Sequence, residues 1–384
     1  MSSINACYVC EEPLNEANST LEHIIQQAIG GHLKSKKLIC RNCNIAFGNT
    51  VDTALTDQLK LLSNMLDIKR DDGENPKAAQ TSDGDYYLQP KDGFVRRQPL
   101  IKPQIDVEEL GERKINLYVN AAVSSQQTRD VIKGIERKLK RHNVPDDKIA
   151  EVLAETKMKI TTHYESSTSS LGFTAGGDAF RAITKIAVNF YIHSGGEPTS
   201  IKHLIPYIKC GVQTNCINLH YPENSIIPKE DGEVLHSIIV IGDAKEKLLY
   251  AYVELFNFYR CAVLLNAEYE NSSFCKSYFY DVLTSSEVSK NYCINFTKEQ
   301  LTQLVASNER PSYKFDEELK KILKFGKSMV DKRVQNLLID EAYSASIGND
   351  YDGQPITEEM LRSFHEKCND KLIPYLISRI SIKS

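Results

Sequence analysis

Residues 7–62 read CYVCEEPLNEANSTLEHIIQQAIGGHLKSKKLICRNCNIAFGNTVDTALTDQLKLL, and the reading of the whole chain turns on this stretch. Cys7 and Cys10 form one Cys-x-x-Cys pair and Cys40 and Cys43 a second, with 29 residues between the pairs. A tight turn aims both sulfurs of such a pair at one ion, and two pairs supply the four ligands of tetrahedral zinc. Four free or redox-active thiols are the other reading. A four-thiolate site leaves no position for water, so this zinc is structural and any chemistry falls to other residues. The ion matters because so short a segment buries little core by itself.

Between the pairs, Leu21 to Ile25 reads as an extended piece carrying Glu22 and His23 side by side, and Gly30-Gly31 interrupts any regular structure after it. After Cys43 the stretch from Asn44 to Leu62 reads as one helix, because Phe47, Val51, Leu55, Leu59 and Leu62 recur at steps of three and four. On a continuous helix Asn44, Gly48 and Asp52 share another stripe. The order is zinc turn, strand with Glu-His, glycine break, zinc turn, helix opening with Asn.

This pattern resembles the HNH endonuclease superfamily, within it the group with two Cys-x-x-Cys pairs around a Glu-His-Ile-Ile strand and a Gly-Gly turn. The resembling stretch runs from about Cys7 to about Leu66 and closes with Cys-Asn, an aromatic-Gly step and an Asp. The resemblance implies a ββα-metal finger that cuts phosphodiester bonds with one catalytic divalent metal, Mg²⁺ or Mn²⁺. Position by position, it makes His23 the general base and Glu22 an acidic ligand of the catalytic metal. Asn44 completes that metal site from the helix start. The middle Asn of the family pattern has no counterpart. Ser35 stands in its register, flanked by Lys34 and Lys36, so a Ser hydroxyl or a backbone group would brace the base.

The chemistry agrees with those assignments. Phosphodiester hydrolysis needs an oriented water, a base of near-neutral pKa and positive charge against the phosphate. A neutral imidazole suits the second need. A hard ion held by carboxylate and amide oxygens suits the third. Asp52, two turns along the helix, is expected to support that ion's ligands. Lys36, Lys37 and Arg41 are expected to hold the phosphate backbone, which positions nucleic acid without reading sequence. His32 reads either as a further phosphate contact or as an ordinary loop residue.

The remaining sequence is that of an ordinary water-borne chain. Its 384 residues are 41% hydrophobic and 26% charged, which excludes a fibre, a mostly disordered chain and a stapled miniprotein. Forty-seven Lys and Arg stand against 51 Asp and Glu, net −4, so contact with nucleic acid depends on a local patch. The start lacks a basic-then-apolar leader, and the apolar run nearest to a membrane span, Leu248 to Leu265, contains Glu254 and Arg260. A cytoplasmic setting is therefore expected. There the other cysteines, Cys210, Cys216, Cys261, Cys275, Cys293 and Cys368, read as buried thiols.

Residues from Ile68 to Tyr87 read as a polar linker, followed by short extended pieces at FVRR, PLIKPQIDV and KINLYV. Gln126 to Arg141 reads as a helix with Lys133, Arg137, Lys138, Lys140 and Arg141 on part of its surface, a phosphate track or a solvated face. Phe180 to Ile192 has helical periodicity and stops at Gly195-Gly196. His236 to Ile241, Lys247 to Phe256 and Tyr259 to Leu265 read as consecutive antiparallel strands. From Thr297 helices dominate, opened by a cap-like Thr297 with Glu299, and Lys320, Lys324 and Lys327 share a stripe. A weaker likeness to the longer members of the same group reaches to about residue 280.

The expected architecture is α+β: a zinc-stapled finger (1–68), a linker with short strands (69–125), an α+β domain with an antiparallel sheet (126–296) and a helical C-terminal part (297–384). The expected function is metal-dependent cleavage of DNA in bacterial restriction or anti-phage defence, gated by the C-terminal domain, a partner protein or a small-molecule activator. RNA is a further candidate substrate. A symmetric double-strand break calls for two fingers, hence a homo-oligomer. The competing readings are a zinc-containing nucleic-acid-binding protein without catalysis and a protein-interaction zinc module.

Overall fold

The computed structural model describes residues 6–70, 79–80, 86–88, 95–97, 104–109, 115–120, 125–141, 143–155, 176–307, 313–348, 353 and 355–379. The chain is mixed α+β, with an antiparallel sheet, a helical C-terminal part and a cysteine cluster near its start. It divides into two compact units. One holds Met1–Ala79, Gln89–Gly93 and Leu171–Arg333; the other holds Gln80–Leu88, Phe94–Ser170 and Val334–Ser384. This differs from the four segments expected from the sequence. The finger shares a core with the sheet instead of standing alone, and residues 126–170 group with the C-terminus. Residues 71–78 of the expected linker lie outside the described residues.

In the first unit, β1 (Glu22–His23) pairs antiparallel with β2 (Lys34–Ser35), Glu22 opposite Ser35 and His23 opposite Lys34. The turn between them contains a 3-10 segment, Gln27–Ile29, closed by Gly30 at φ 89°. A side chain at Gly30 would meet Ile68, and one at Gly31 would lie 1.9 Å from the Ile25 carbonyl oxygen. Only glycine permits so close an approach. Helices α1 (Arg41–Gly48) and α2 (Val51–Met65) come next. The sequence suggested one helix here. Asn49 closes α1, and Thr50, at φ −132° and ψ −88°, leaves helical geometry, while its hydroxyl donates to the Ala46 carbonyl. The stripe Asn44-Gly48-Asp52 is therefore interrupted.

Further along the chain lie β3 (Ala79–Gln80), β4 (Tyr86–Leu88) and β5 (Val95–Arg97), a three-stranded sheet, and the hairpin β6 (Gln104–Glu109) with β7 (Ile115–Asn120). Of these, β5, β6 and β7 overlap the extended pieces read at FVRR, PLIKPQIDV and KINLYV. Helices α3 (Ser125–Arg141) and α4 (Asp146–Glu155) pack through Ile135, Leu139 and Ile149. Lys133, Arg137, Lys140 and Arg141 are exposed.

The centre of the first unit is α5 (Gly177–His193), covering the helix expected from Phe180. Every residue from Ala182 to Tyr191 is buried, so this helix is enclosed on all sides. A 3-10 segment, Pro198–Leu204, and α6 (Ile205–Cys210) lead into the sheet. Its strands are β8 (Ile217–Leu219), β9 (Leu235–Asp243), β10 (Leu248–Leu255), β11 (Tyr259–Asn266), β12 (Phe274–Asp281) and β13 (Ser286–Glu287), in spatial order β13-β12-β9-β10-β11-β8 and antiparallel throughout. Ile238, Val240, Ala251 and Val253 share one cluster with α5 and the finger. Ile239, Ile241, Tyr250 and Tyr252 face the other way and pack with Leu301 and Val305 of α7 (Lys298–Ala306). That alternation is the period of two expected of strands with a core on each side. Thr297 caps α7 as expected, but its reciprocal partner is Gln300, not Glu299.

Helix α8 (Tyr313–Ser346) approaches α2 at Gly326, against Met65, and Arg333 donates to the carbonyls of Met65 and Asn64. Lys320, Lys324 and Lys327 are exposed, as the stripe requires. In the second unit the remainder of α8 meets α9 (Glu358–Arg379) through Lys371–Glu341 at 2.5 Å and the rings of Tyr343 and Phe364. The cysteine reading needs correction. Cys275, at the start of β12, and Cys293 form a disulfide, brought together where the chain returns past β13 with Cα atoms 6.3 Å apart. Cys210 is exposed and Cys368 half-buried, while Cys216 and Cys261 are buried thiols as expected. No helix among the described residues is long and apolar enough to cross a membrane.

His236 of β9 ties the sheet to the finger. Its ring is fully buried, donates from Nε2 to the Ile29 carbonyl at 2.7 Å and accepts the Phe256 N–H at Nδ1. Burial lowers its pKa to about 4, so the ring stays neutral in the fold while an unfolded chain would protonate it below its ordinary value. Stability present above pH 6.5 is therefore lost as pH falls toward 4, by on the order of 2–3 kcal/mol for this residue. Half-buried His220, also lowered by burial to about 4, adds loss of the same sign. Urea unfolding at pH 7.5, 6 and 5 should show falling midpoints, with a smaller decline in His236→Gln; equal declines in both proteins would contradict this role.

Candidate active site

Backbone hydrogen bonds shape the two cysteine turns. Tyr8 N–H donates to the Leu38 carbonyl and Glu11 N–H to the Cys7 carbonyl, folding the first pair against the strand leading to the second. Cys40 is the N-terminal cap of α1, so Cys40 and Cys43 sit at the positive end of a helix, which favours thiolates. The four sulfurs lie within 4.8 Å of one another, and those of Cys10 and Cys40 are 3.7 Å apart. Zinc–sulfur bonds of about 2.3 Å in a tetrahedron set sulfur–sulfur edges of about 3.8 Å, so the donor set fits structural zinc. Burial, then the neighbouring thiols, push the Cys43 thiol up, a cost that a divalent ion at the centre removes.

Glu22 and His23 point to opposite faces of β1. His23 is half-buried, across from exposed Lys34. Glu22 is 3% exposed and faces α5. Its Oε1 accepts from Lys185 Nζ at 2.5 Å and from Asn189 Nδ2 at 3.2 Å. Lys185, 1% exposed, also donates to both oxygens of Asp52, at 3.0 and 2.8 Å. Gln26 Nε2 donates to Asp52 at 2.7 Å, and the Tyr8 hydroxyl donates to Asn189 Oδ1 at 2.8 Å. The Phe47 ring lies 5.3 Å from the ammonium. A hydrogen-bonded chain thus runs from the first zinc turn, through Asn189, Glu22 and Lys185, to α2.

The electrostatics derive from this enclosure. Burial raises the Glu22 carboxyl above its ordinary value, with Lys185 opposing and Asp52 reinforcing the rise. Burial pulls Lys185 down, but Asp52 and Glu22 together outweigh it and hold the lysine above its ordinary value. Lys185 is therefore charged at neutral pH. Removing one partner of such a buried ion pair strands the other and costs about 3–5 kcal/mol.

Several expected roles need correction. A catalytic divalent ion at Glu22 would have to replace the cation already there, Lys185, while Asn44 donates from Nδ2 to Thr20 Oγ1 at 3.1 Å, a bond that does not use the amide oxygen a metal would take. Asp52 does stand next to Glu22, through the shared Lys185. His32 is turned against the sheet, its ring stacked on Tyr280 with centroids 4.8 Å apart, unlike exposed Lys36 and Lys37. The Ser35 hydroxyl accepts the Lys37 N–H at 3.2 Å, and Ser35 pairs with Glu22, so it braces a turn and not the base. Lys36, Lys37 and Arg41 are exposed, as a phosphate contact requires. Lys185 and Asn189, absent from the sequence reading, were signalled as two polar residues four apart in the buried, mostly apolar stretch 182–191.

Zinc analysis of the purified protein should give about one ion per chain. Cys40→Ala should lose it and unfold the finger, since metal binding is folding energy in such a module. Cys210→Ala, outside the cluster, should keep it. Retention of zinc by Cys40→Ala would remove Cys40 from the ligand set.

No curated protein and no solved structure matches the chain. Residues 7–60 match the family model described as HNH endonuclease, with all four clustered cysteines inside the match. The four-cysteine segment, whose donor set fits zinc, is thus similar to the HNH endonuclease family, which supports a nuclease role.

Proposed function

We propose that the finger hydrolyses phosphodiester bonds of DNA, with His23 as the general base. The observation that carries this reading is the separation of roles across β1: Glu22 is buried, while His23 lies on the half-exposed face beside Lys34. His23 accepts a proton from water, whose oxygen attacks phosphorus as the bond to the leaving oxygen breaks. Exposed Lys36, Lys37 and Arg41 hold the phosphate charge and fix the backbone against the finger. No step is assigned to Mg²⁺ or Mn²⁺, because Glu22 is paired with Lys185 in this arrangement.

The setting we propose is restriction or anti-phage defence in the cytoplasm, resting on the resemblance of the finger. Gating by the rest of the chain, a partner or an activator is supported by the burial of Glu22 against a helix outside the finger. Paired cuts on both strands would require two copies of the finger. A second reading, nucleic-acid binding without cleavage, is favoured by the occupied Glu22 and by Ser35 in place of the expected Asn.

Supercoiled plasmid, linear duplex, single-stranded DNA and RNA, each with Mg²⁺, Mn²⁺ or chelator, separate the two. His23→Ala should lower cleavage by about 10²–10⁴-fold, with zinc content and circular dichroism unchanged. Cleavage by His23→Ala at the parental rate would overturn the assignment of the base. Tight DNA binding by a parent that cuts under no metal would favour the second reading.

A further inference from the structure

Two carboxylates, buried Glu22 and half-buried Asp52, face one buried ammonium, Lys185. Beside them Gln26 is 7% exposed, and its Oε1 is buried without a hydrogen-bond partner while its Nε2 serves Asp52. Turning the amide over would press that oxygen against the Asp52 carboxylate. The cluster therefore offers oxygen donors in excess of the N–H groups that reach it. Its charge is also incomplete: two ionised carboxylates and one ammonium sum to −1. Exchanging the ammonium for a divalent cation brings the sum to 0, whereas holding both cations gives +1 in a buried site, which is costly.

We propose that Lys185 is the resident cation of the Glu22–Asp52 pair. It stands where a divalent cation would sit, and the finger takes up Mg²⁺ or Mn²⁺ at Glu22 only when α5 withdraws the lysine. Carboxylate oxygens with the Gln26 carbonyl make the hard donor set such ions select. Lys185 and Asn189 are one turn apart on α5 and both bond Glu22, so a shift of this one helix releases both. The finger would then be latent as folded, and whatever repositions α5 would switch it on. The proposal deepens the nuclease reading and rests on it for its consequence. Its test reads metal binding without nucleic acid, so either idea can fail alone.

The test uses zinc-loaded full-length protein and Mn²⁺ alone, with calorimetric titration and thermal unfolding. Lys185→Met should bind Mn²⁺ at least about tenfold tighter than the parent and gain melting temperature on adding it. Both effects should vanish in Lys185→Met combined with Glu22→Gln. A folded Lys185→Met that gains no Mn²⁺ affinity overturns the proposal. Should that variant fail to fold with and without Mn²⁺, amine acetylation of the parent, read at Lys185 by mass spectrometry, decides instead. Lys185 should be protected in metal-free protein, and labelled several-fold more if Mn²⁺ binds at Glu22; protection with no Mn²⁺ bound is the closed state proposed. Free labelling without metal, or Glu22-dependent Mn²⁺ binding with Lys185 still protected, contradicts it.

Discussion

The ammonium of Lys185, enclosed between Glu22 and Asp52, is the contact on which the rest of the first unit depends. A lysine is almost never fully buried unless paired, so α5 can lie inside the protein only because β1 and α2 present carboxylates to it. The reverse holds as well. Glu22 and Asp52 tolerate burial because α5 supplies the charge. Finger and sheet are thereby one folding problem, and their apolar residues form a single cluster from Ile24 through Ile186 to Val253.

The four-cysteine cluster, which fits zinc, and this ion network divide the work of holding a short segment in shape. The cysteines fix the two turns, and Tyr8, lying between Cys7 and Cys10, carries that constraint to Asn189 and Glu22. His236 closes the other side by holding the Ile29 carbonyl just before the glycine turn. Strand β1 and the turn after it are thus held by residues far along the chain. A change in α5 reaches Glu22 directly, through Lys185 and Asn189.

Much of this was legible in the sequence because it depends on local spacing. The cysteine pairs, the Gly30-Gly31 turn, the enclosed helix after Phe180 and the strands between Leu235 and Asn266 are set by periodicity and turn chemistry. Four features were not legible. The break at Thr50 arises from its own hydroxyl bonding back to Ala46, within an apolar pattern that runs on undisturbed. The Cys275–Cys293 disulfide depends on where the chain returns past β13. The pairing of Glu22 with Lys185 joins residues 163 apart, and no local rule connects them. His32, read among its lysine neighbours, is decided by the ring of Tyr280.

The central claim is that one carboxylate, Glu22, serves either a lysine or a metal ion and never both. Anomalous scattering at the manganese edge, from crystals of parent and Lys185→Met grown with Zn²⁺ and soaked in Mn²⁺, tests it most directly. The account predicts zinc at the four cysteines in both, and manganese against Glu22 wherever Lys185 is absent or has moved away. Manganese bound to Glu22 while Lys185 keeps its hydrogen bonds to Glu22 and Asp52 would contradict it.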